Sequence, residues 1–448
     1  MERIREVFKI AIPAVGEMCL YMLVWVIDTA FVGKYGGDTA VSAVGFSSEI
    51  MYTLSNIFVA IGISVAITTL VAQSTGAEKM EKAEEYFSHG LVIGVIIASI
   101  IAIILIAFPN KILQTAGLRD EVLDNAVIFM RIAAIGLFFN MITNMLNASL
   151  RGTGNTTVPF VISLIITIIT IFLDSILIFG RLGFKPLGVK GSAIATTTAY
   201  MIGLICVVIY YIKWSEIKFK IKYVLNLKYS NLKKIISLAI PSGLQEGAFS
   251  ISRLLSLYFI MHLGTKAFSA NQITTTIESI SFMPGWGFAV AATALVGQRI
   301  GAKDFSGAKS YAYISMFFST GVMLICSVLF LLIPRQLMNL FINDLETIKL
   351  GSTCIMIAAI EQPFMAISMV LGGSLKGAGD TRTPFIVSLI SNWCIRIPLM
   401  YYVIFVMKLS VSFVWFITGI QWCFEGIILI LLFKRKSSRW RNILEEVY

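Results

Sequence analysis

Eleven charged side chains of this chain lie well inside long apolar runs. Eight are acids, Glu17, Asp28, Glu49, Asp174, Glu246, Glu278, Glu361 and Glu425, and three are bases, Arg131, Arg253 and Arg396. A charge in hydrocarbon costs several kcal/mol on typical scales, so such residues bind, relay or pair something. The excess of acids attracts cations. Asp28 lies midway along WVIDTAFVGKYGG, and Glu17 stands eleven residues, or three helical turns, earlier on the same face, with Tyr21 between them. Glu17 also sits near a helix start, where the dipole suits a carboxylate. Asp174 lies in FLDSILIFG with Thr170 one turn before it, and Thr196, in SAIATTTAY, is a hydroxyl partner for it. Brought near Asp28, Asp174 shares or exchanges a proton with it. Asn271, Thr274, Thr275 and Glu278 follow the i, i+3, i+4, i+7 spacing, a polar stripe expected to line water. Glu246 and Arg253 are two turns apart on one face, which suits an ion pair. Glu361 precedes Gln362 and Pro363, where the proline frees a backbone carbonyl beside an acid.

The composition says what surrounds these residues. Of 448 residues, 57% are hydrophobic and 14% charged, against about 25% charged in a soluble domain. A soluble enzyme and a disordered chain are both excluded. The net charge of +11 reads as basic loops on one membrane face rather than as a nucleic-acid footprint. The six cysteines sit in apolar runs with no CxxC pairing, and His89 and His262 lie far apart, so no histidine metal site is expected. No HExxH, GxSxG or GxGD-like motif supports catalysis, including intramembrane proteolysis. No enzyme activity and no resident cofactor are expected. No cleavable leader is read in MERIREVFK and the apolar run after it.

The apolar runs predict twelve spans: 10–32, 42–70, 89–108, 123–147, 160–180 and 191–212, then 235–260, 267–295, 311–333, 348–371, 384–406 and 410–433. An even number places both termini on one side. That side carries more than twice the Lys and Arg of the other, so both termini are expected in the cytoplasm. The richest connection, 213–234, reads as an amphipathic linker on an anionic leaflet. The expected domains are a six-helix lobe 1–212, the basic linker 213–234, a second six-helix lobe 235–433 and a cytoplasmic tail 434–448.

An internal repeat supports the two lobes. NASLRGTGNTTVPFVISLI from Asn147 matches GGSLKGAGDTRTPFIVSLI from Gly372, which pairs Gly152 with Gly377. LVAQSTGA from Leu70 matches LVGQRIGA from Leu295 with the same separation between the copies. AIPAVGE at Ala11 faces AIPSGLQE at Ala239. Six spans per copy make these parallel repeats. The fold class is therefore an all-α polytopic membrane protein, twelve transmembrane helices in two pseudo-symmetric six-helix lobes. In Arg151-Gly152-Thr153-Gly154-Asn155 the glycines permit a tight turn, and Pro159 starts the next helix.

Over nearly its whole length the chain resembles the multidrug and toxic compound extrusion (MATE) transporters. The resemblance rests on IPAVGEMCLYMLVWVIDTAFVGKYG, SAVG, TLVAQSTGA, NASLRGTGNTTVP, GVKGSAIAT, SANQITTTIESISFMPGWGFAVAATALVGQRIGA and GGSLKGAGDTRTP. The stretch IESISFMPGWGFAVAATALVGQ is most similar to the prokaryotic DinF-like branch. The resemblance implies cation-driven drug export by alternating access. It places the coupling ion, H⁺ or Na⁺, at Asp28 and Asp174, with Thr196, and with Thr170 where some members carry asparagine. NorM-like members carry an acid in helix seven where this chain has Phe249; Glu246 stands three residues earlier, so second-lobe roles carry over loosely.

The expected substrate cleft comprises Tyr21, Glu246, Arg253, Asn271, Thr275, Glu278 and Glu361. The expected partners are small organic, chiefly cationic, substrates and the lipid bilayer of the plasma (inner) membrane, with no nucleic acid, and the expected state is a monomer. The alternative function is a flippase of lipid-linked oligosaccharide or cell-wall precursor. A pyrophosphate carrier is expected to have a more basic cavity than this acid-rich chain.

Overall fold

A computed structural model describes residues 1–440. Of the expected tail, residues 441–448 lie outside the described residues. Twelve long helices are present among the described residues. The first six are α1 (Glu2–Gly37), α2 (Thr39–Gly76), α3 (Met80–Ala107), α4 (Asp120–Gly152), α5 (Thr157–Leu177) and α6 (Gly188–Lys213). The second six are α7 (Tyr229–Met261), α8 (Thr265–Gly301), α9 (Phe305–Leu332), α10 (Leu345–Gly377), α11 (Arg382–Val406) and α12 (Val411–Ser437). Eleven are long and apolar enough to cross a membrane. The remaining one, α7, spans Tyr229–Met261 and is interrupted by Gln245, Glu246 and Arg253.

Each helix contains one predicted span to within three residues, and most run beyond it. Helix α8, for example, covers Thr265–Gly301 where the apolar run is 267–295. Apolarity marks only the part in hydrocarbon; backbone hydrogen bonding carries the helix on into the headgroup zone. Side chains cap the polar ends. Asp304 accepts from the Gly307 N–H (2.8 Å), and Asp344 accepts from the Thr347 N–H (2.9 Å) and hydroxyl (2.7 Å). The bonds from Thr347 hold the Asp344 carboxyl below its usual range. Between α1 and α2, Gly37 takes φ +60° and ψ −151°, a conformation essentially confined to glycine, and the chain turns there.

The chain divides into two compact units. One is Cys19–Gly243; the other combines Met1–Met18 with the chain from Leu244 onward. The first unit packs around Ile67, Phe87, Met130, Met141 and Met145, all essentially inaccessible. The core of the other includes Val296, Leu371, Leu375 and Phe433. The first helix of each half is shared out. Val7, Ile10 and Ala11 of α1 pack with Phe288, Ala292 and Leu295 of α8. Ile235 and Leu238 of α7 pack with Ala66 and Leu70 of α2 and Tyr86 of α3.

The sequence repeat reappears as repeated contacts. The Thr68 hydroxyl donates to the Ala148 carbonyl (2.9 Å), and at the equivalent place in the second half the Thr293 hydroxyl donates to the Gly373 carbonyl (3.0 Å). A Cβ on Gly152 would stand 3.0 Å from the Thr68 carbonyl oxygen, and one on Gly377 would collide with that of Thr293. Close approach of helices over small residues is how bundles hold together in lipid, where apolar side chains gain little by meeting one another. The turns after these crossings also match. Gly154 and Gly379 have φ +87° and +90°. Asn155 accepts from the Val158 N–H (3.2 Å), as Asp380 does from the Thr383 N–H (3.0 Å).

Replacing Gly377 by Val forces these backbones apart. We expect a loss of about 1–3 kcal/mol, read as a lowered thermal midpoint of the purified protein in detergent. Gly321→Ala, where an added Cβ meets nothing within 4 Å, leaves the midpoint unchanged or higher. Equal midpoints for Gly377→Val and the parent would refute the packing role.

Candidate functional site

In the first unit, α1 carries Asp28 to a half-buried position where the Ser192 hydroxyl of α6 donates to its Oδ1 at 2.6 Å. Ser192 lies one turn before Thr196, the hydroxyl singled out from the sequence. Helix α5 holds Asp174 fully buried, and neither of its carboxyl oxygens has a hydrogen-bond partner among the described residues. Asp174 and Asp28 are within electrostatic reach of each other. Thr170 is buried one turn before Asp174, and its hydroxyl proton goes to the Ile166 carbonyl (2.9 Å), which leaves oxygen lone pairs available.

A polar chain continues from this pair. Tyr200 of α6 lies close to both Asp28 and Asn140 of α4. Asn144 Nδ2 donates to Asn140 Oδ1 (2.5 Å), and the Tyr21 hydroxyl of α1 donates to Asn144 Oδ1 (3.4 Å). Tyr21 is thus bonded to the Asn140–Asn144 pair of α4, and Tyr200 stands between that pair and Asp28. Ser192, Tyr200, Asn140 and Asn144 do not stand out in the sequence, because they lie neither one turn from an acid on the same helix nor on a polar stripe that ends in one.

A cavity of about 340 Å³ lies at the far ends of the same helices, lined by Tyr35, Thr39, Glu121, Asn125 and Lys190 among others. Tyr35 is two turns beyond Asp28 on α1, and Lys190 is two residues before Ser192 on α6.

In the second unit, α8 and α10 make Glu278 and Glu361 electrostatic neighbours, and Arg396 of α11 is a neighbour of both. Glu361 is fully buried and Glu278 half-buried. Next to Glu361, the Gln362 side-chain oxygen accepts from the Ser281 hydroxyl (2.6 Å), which ties α10 to α8. The stripe on α8 divides. Asn271 and Thr274 are buried, and the Thr274 hydroxyl bonds the Ala270 carbonyl (2.8 Å) and reaches the Gly351 carbonyl of α10 (3.5 Å). Thr275 is exposed. Half of the stripe therefore serves helix packing, since a helix face three residues wide meets both a neighbour and open space.

Glu246 of α7 is an electrostatic neighbour of Lys376, while Arg253 is a neighbour of Arg396. Glu425 is a different kind of acid. It accepts from Ser368 of α10 (2.9 Å), Ser391 of α11 (2.5 Å) and Gln421 (3.0 Å). Helix α11 widens to π-helical turns over Ile390–Arg396, and this segment presents Ser391 and Arg396. Glu425 is a fully bonded structural group. Among the described residues no three His, Cys, Asp or Glu lie close enough together to hold a metal ion.

Two units with buried carboxylates define a polytopic membrane protein of the two-lobe, twelve-helix class. The MatE family model matches residues 13–176 and again 241–402, and the chain belongs to that family of transporters. The two matches begin on the prolines of the paired AIP motifs, Pro13 and Pro241, which is the repeat again. A probable multidrug resistance protein NorM of Thermotoga maritima is 28% identical over 98% of this chain and 93% of its own length. An uncharacterized transporter, YisQ, of Bacillus subtilis is 28% identical over 97% and 94%. Among solved structures, an outward-facing multidrug resistance MATE family transporter superposes with a TM-score of 0.91 at 19% identity, covering 98% of this chain and 97% of that one. A MOP superfamily transporter from Pyrococcus furiosus, described as having a binding pocket of reverse polarity, has the same TM-score, identity and coverage.

Ser391→Ala removes one of three donors from the buried Glu425 carboxylate. Its expected cost is about 1–3 kcal/mol, measured as thermal midpoint, with Ser391→Thr restoring most of it. An unchanged midpoint in Ser391→Ala would contradict the structural role of Glu425.

Proposed function

We propose that this chain is a cation-coupled exporter of organic cations, working by alternating access in the inner membrane with both termini cytoplasmic. The observation that carries this reading is the pair Asp28 and Asp174, two acids in electrostatic reach with the oxygens of one unpartnered. Two carboxylates held together in a low dielectric repel each other, and a bound proton or Na⁺ removes that repulsion. Ser192, bonded to Asp28, and Thr170, one turn before Asp174, supply hydroxyl oxygens to the pair, and Thr196 follows one turn after Ser192 on α6. The cavity at Tyr35 and Thr39 offers a polar approach along α1 and α6.

The names of the relatives support export of drugs as the task. Glu278 and Glu361 give the second unit an acid pair for a cationic substrate, with Arg396 offsetting part of its charge. Coupling follows from charge. A cation bound at the first-unit acids removes their repulsion and biases one packing of the helices that carry them; its release restores the other. One cation entering as another leaves keeps the buried charge nearly constant through the cycle.

The test uses purified protein in sealed liposomes and a fluorescent lipophilic cation. A pH gradient without Na⁺, or a Na⁺ gradient at equal pH, is imposed in turn. Transport is expected under at least one gradient, and its identity names the coupling ion. Asp28→Asn and Asp174→Asn are each expected to lower gradient-driven transport by about tenfold or more with an unchanged thermal midpoint. Normal transport by both variants would refute the assignment of the pair. Transport under neither gradient by folded parent protein would refute cation-coupled drug export and favour a lipid-linked flippase.

A further inference from the structure

Residues 213–234 join the end of α6 to the start of α7 and carry seven lysines against the single carboxylate Glu216. This connection is pinned rather than loose. Buried Glu84 of α3 accepts from the Lys218 N–H (3.2 Å) and pairs with Lys220 Nζ (2.5 Å). Buried Glu85, the next residue, pairs with Lys228 Nζ at 2.7 Å. Asn231 meets His89 across 3.4 Å, and Ile217 and Ser215 are buried beneath the chain. The hydrogen bonds to Glu84 and Glu85 raise the pKa values of Lys220 and Lys228, so both stay charged.

Two lysines serve this attachment. The other five, Lys213, Lys218, Lys222, Lys233 and Lys234, are exposed. Large apolar side chains are exposed among them: Trp214 (63%), Ile221 (68%), Leu225 (79%) and Tyr229 (78%). These lie beyond or at the very ends of the spanning helices, so the acyl core of the bilayer does not account for them.

We propose that this strap is a docking surface for the anionic phospholipid headgroups of the leaflet beside it. The charge complementarity is direct, five exposed ammonium groups facing lipid phosphates. The apolar half of the surface selects a bilayer over any soluble polyanion. A nucleic acid or an acidic protein loop takes up the lysines and leaves Ile221 and Leu225 in water, whereas the headgroup–acyl boundary takes up both. Tryptophan and tyrosine at the strap ends suit that boundary. Both ends are joined to spanning helices, which holds the surface at the bilayer without any further partner. The inference stands on the strap alone, apart from the coupling reading.

The test is hydrogen exchange, followed by mass spectrometry, on the full chain in nanodiscs. One set contains phosphatidylcholine only, the other a three-to-one mixture with phosphatidylglycerol. Amides within 213–234 are expected to exchange about tenfold more slowly in the mixed discs, with the difference shrinking at high salt. A variant with Lys213, Lys218, Lys222, Lys233 and Lys234 all changed to Gln is expected to exchange alike in both. Equal exchange of the parent in the two lipids would overturn the proposal. So would slowing in pure phosphatidylcholine discs on adding a soluble RNA homopolymer or inorganic phosphate to the level seen with phosphatidylglycerol. Glu84 and Glu85 are untouched in the variant, and a thermal midpoint equal to the parent's in phosphatidylcholine reports that the fold survives.

Discussion

The close crossing of helices over small residues is the contact on which the rest of this structure depends. It occurs twice, with Thr68 against Ala148 and Gly152, and with Thr293 against Gly373 and Gly377. In a bilayer the tails solvate a leucine as well as another leucine does, so helices adhere where their backbones can come close. That closeness sets the rotation of α4 about α2 and of α10 about α8. The rotation in turn decides that Asn140 and Asn144 face the polar chain leading to Asp28, and that Glu361 faces Glu278. Gly152 and Gly377 act at these crossings by what they lack, a Cβ, while Gly154 and Gly379 serve the turns that follow through positive φ.

The buried acids separate into two kinds by how their oxygens are occupied. Glu425 receives three hydrogen bonds from three helices. Such a carboxylate is already solvated by the protein and holds the second unit together. Asp174 receives none among the described residues. A buried acid left in that state lacks the compensation that Glu425 has. Satisfaction of lone pairs thus separates these two acids more clearly than burial or position in a span does.

Symmetry in the scaffold coexists with asymmetry in the chemistry. The crossings, the turns after them and their capping side chains recur in both halves, while Asp174 has Leu399 at the corresponding place. A repeat can diverge freely at positions that do not set helix approach, and the charged groups sit at such positions. The strap is likewise unique to one half. Its clasp to Glu84 and Glu85 belongs to the connection between the repeats, which has no counterpart within them.

Much was legible from residue order because it depends on one helix at a time. Apolar runs measure the membrane thickness, so the twelve spans and their order follow from the chain alone. The doubled motifs around Gly152 and Gly377 revealed the two halves, and an acid in an apolar run declares itself without a partner. Which groups meet was decided only by the packed structure. Ser192 bonds Asp28, Asn271 and Thr274 turn inward while Thr275 is exposed, and Glu246 neighbours Lys376. Each of these depends on the rotation and crossing of separate helices, where a fraction of a turn exchanges one neighbour for the next. Periodicity within a helix defines its faces but not what they will face.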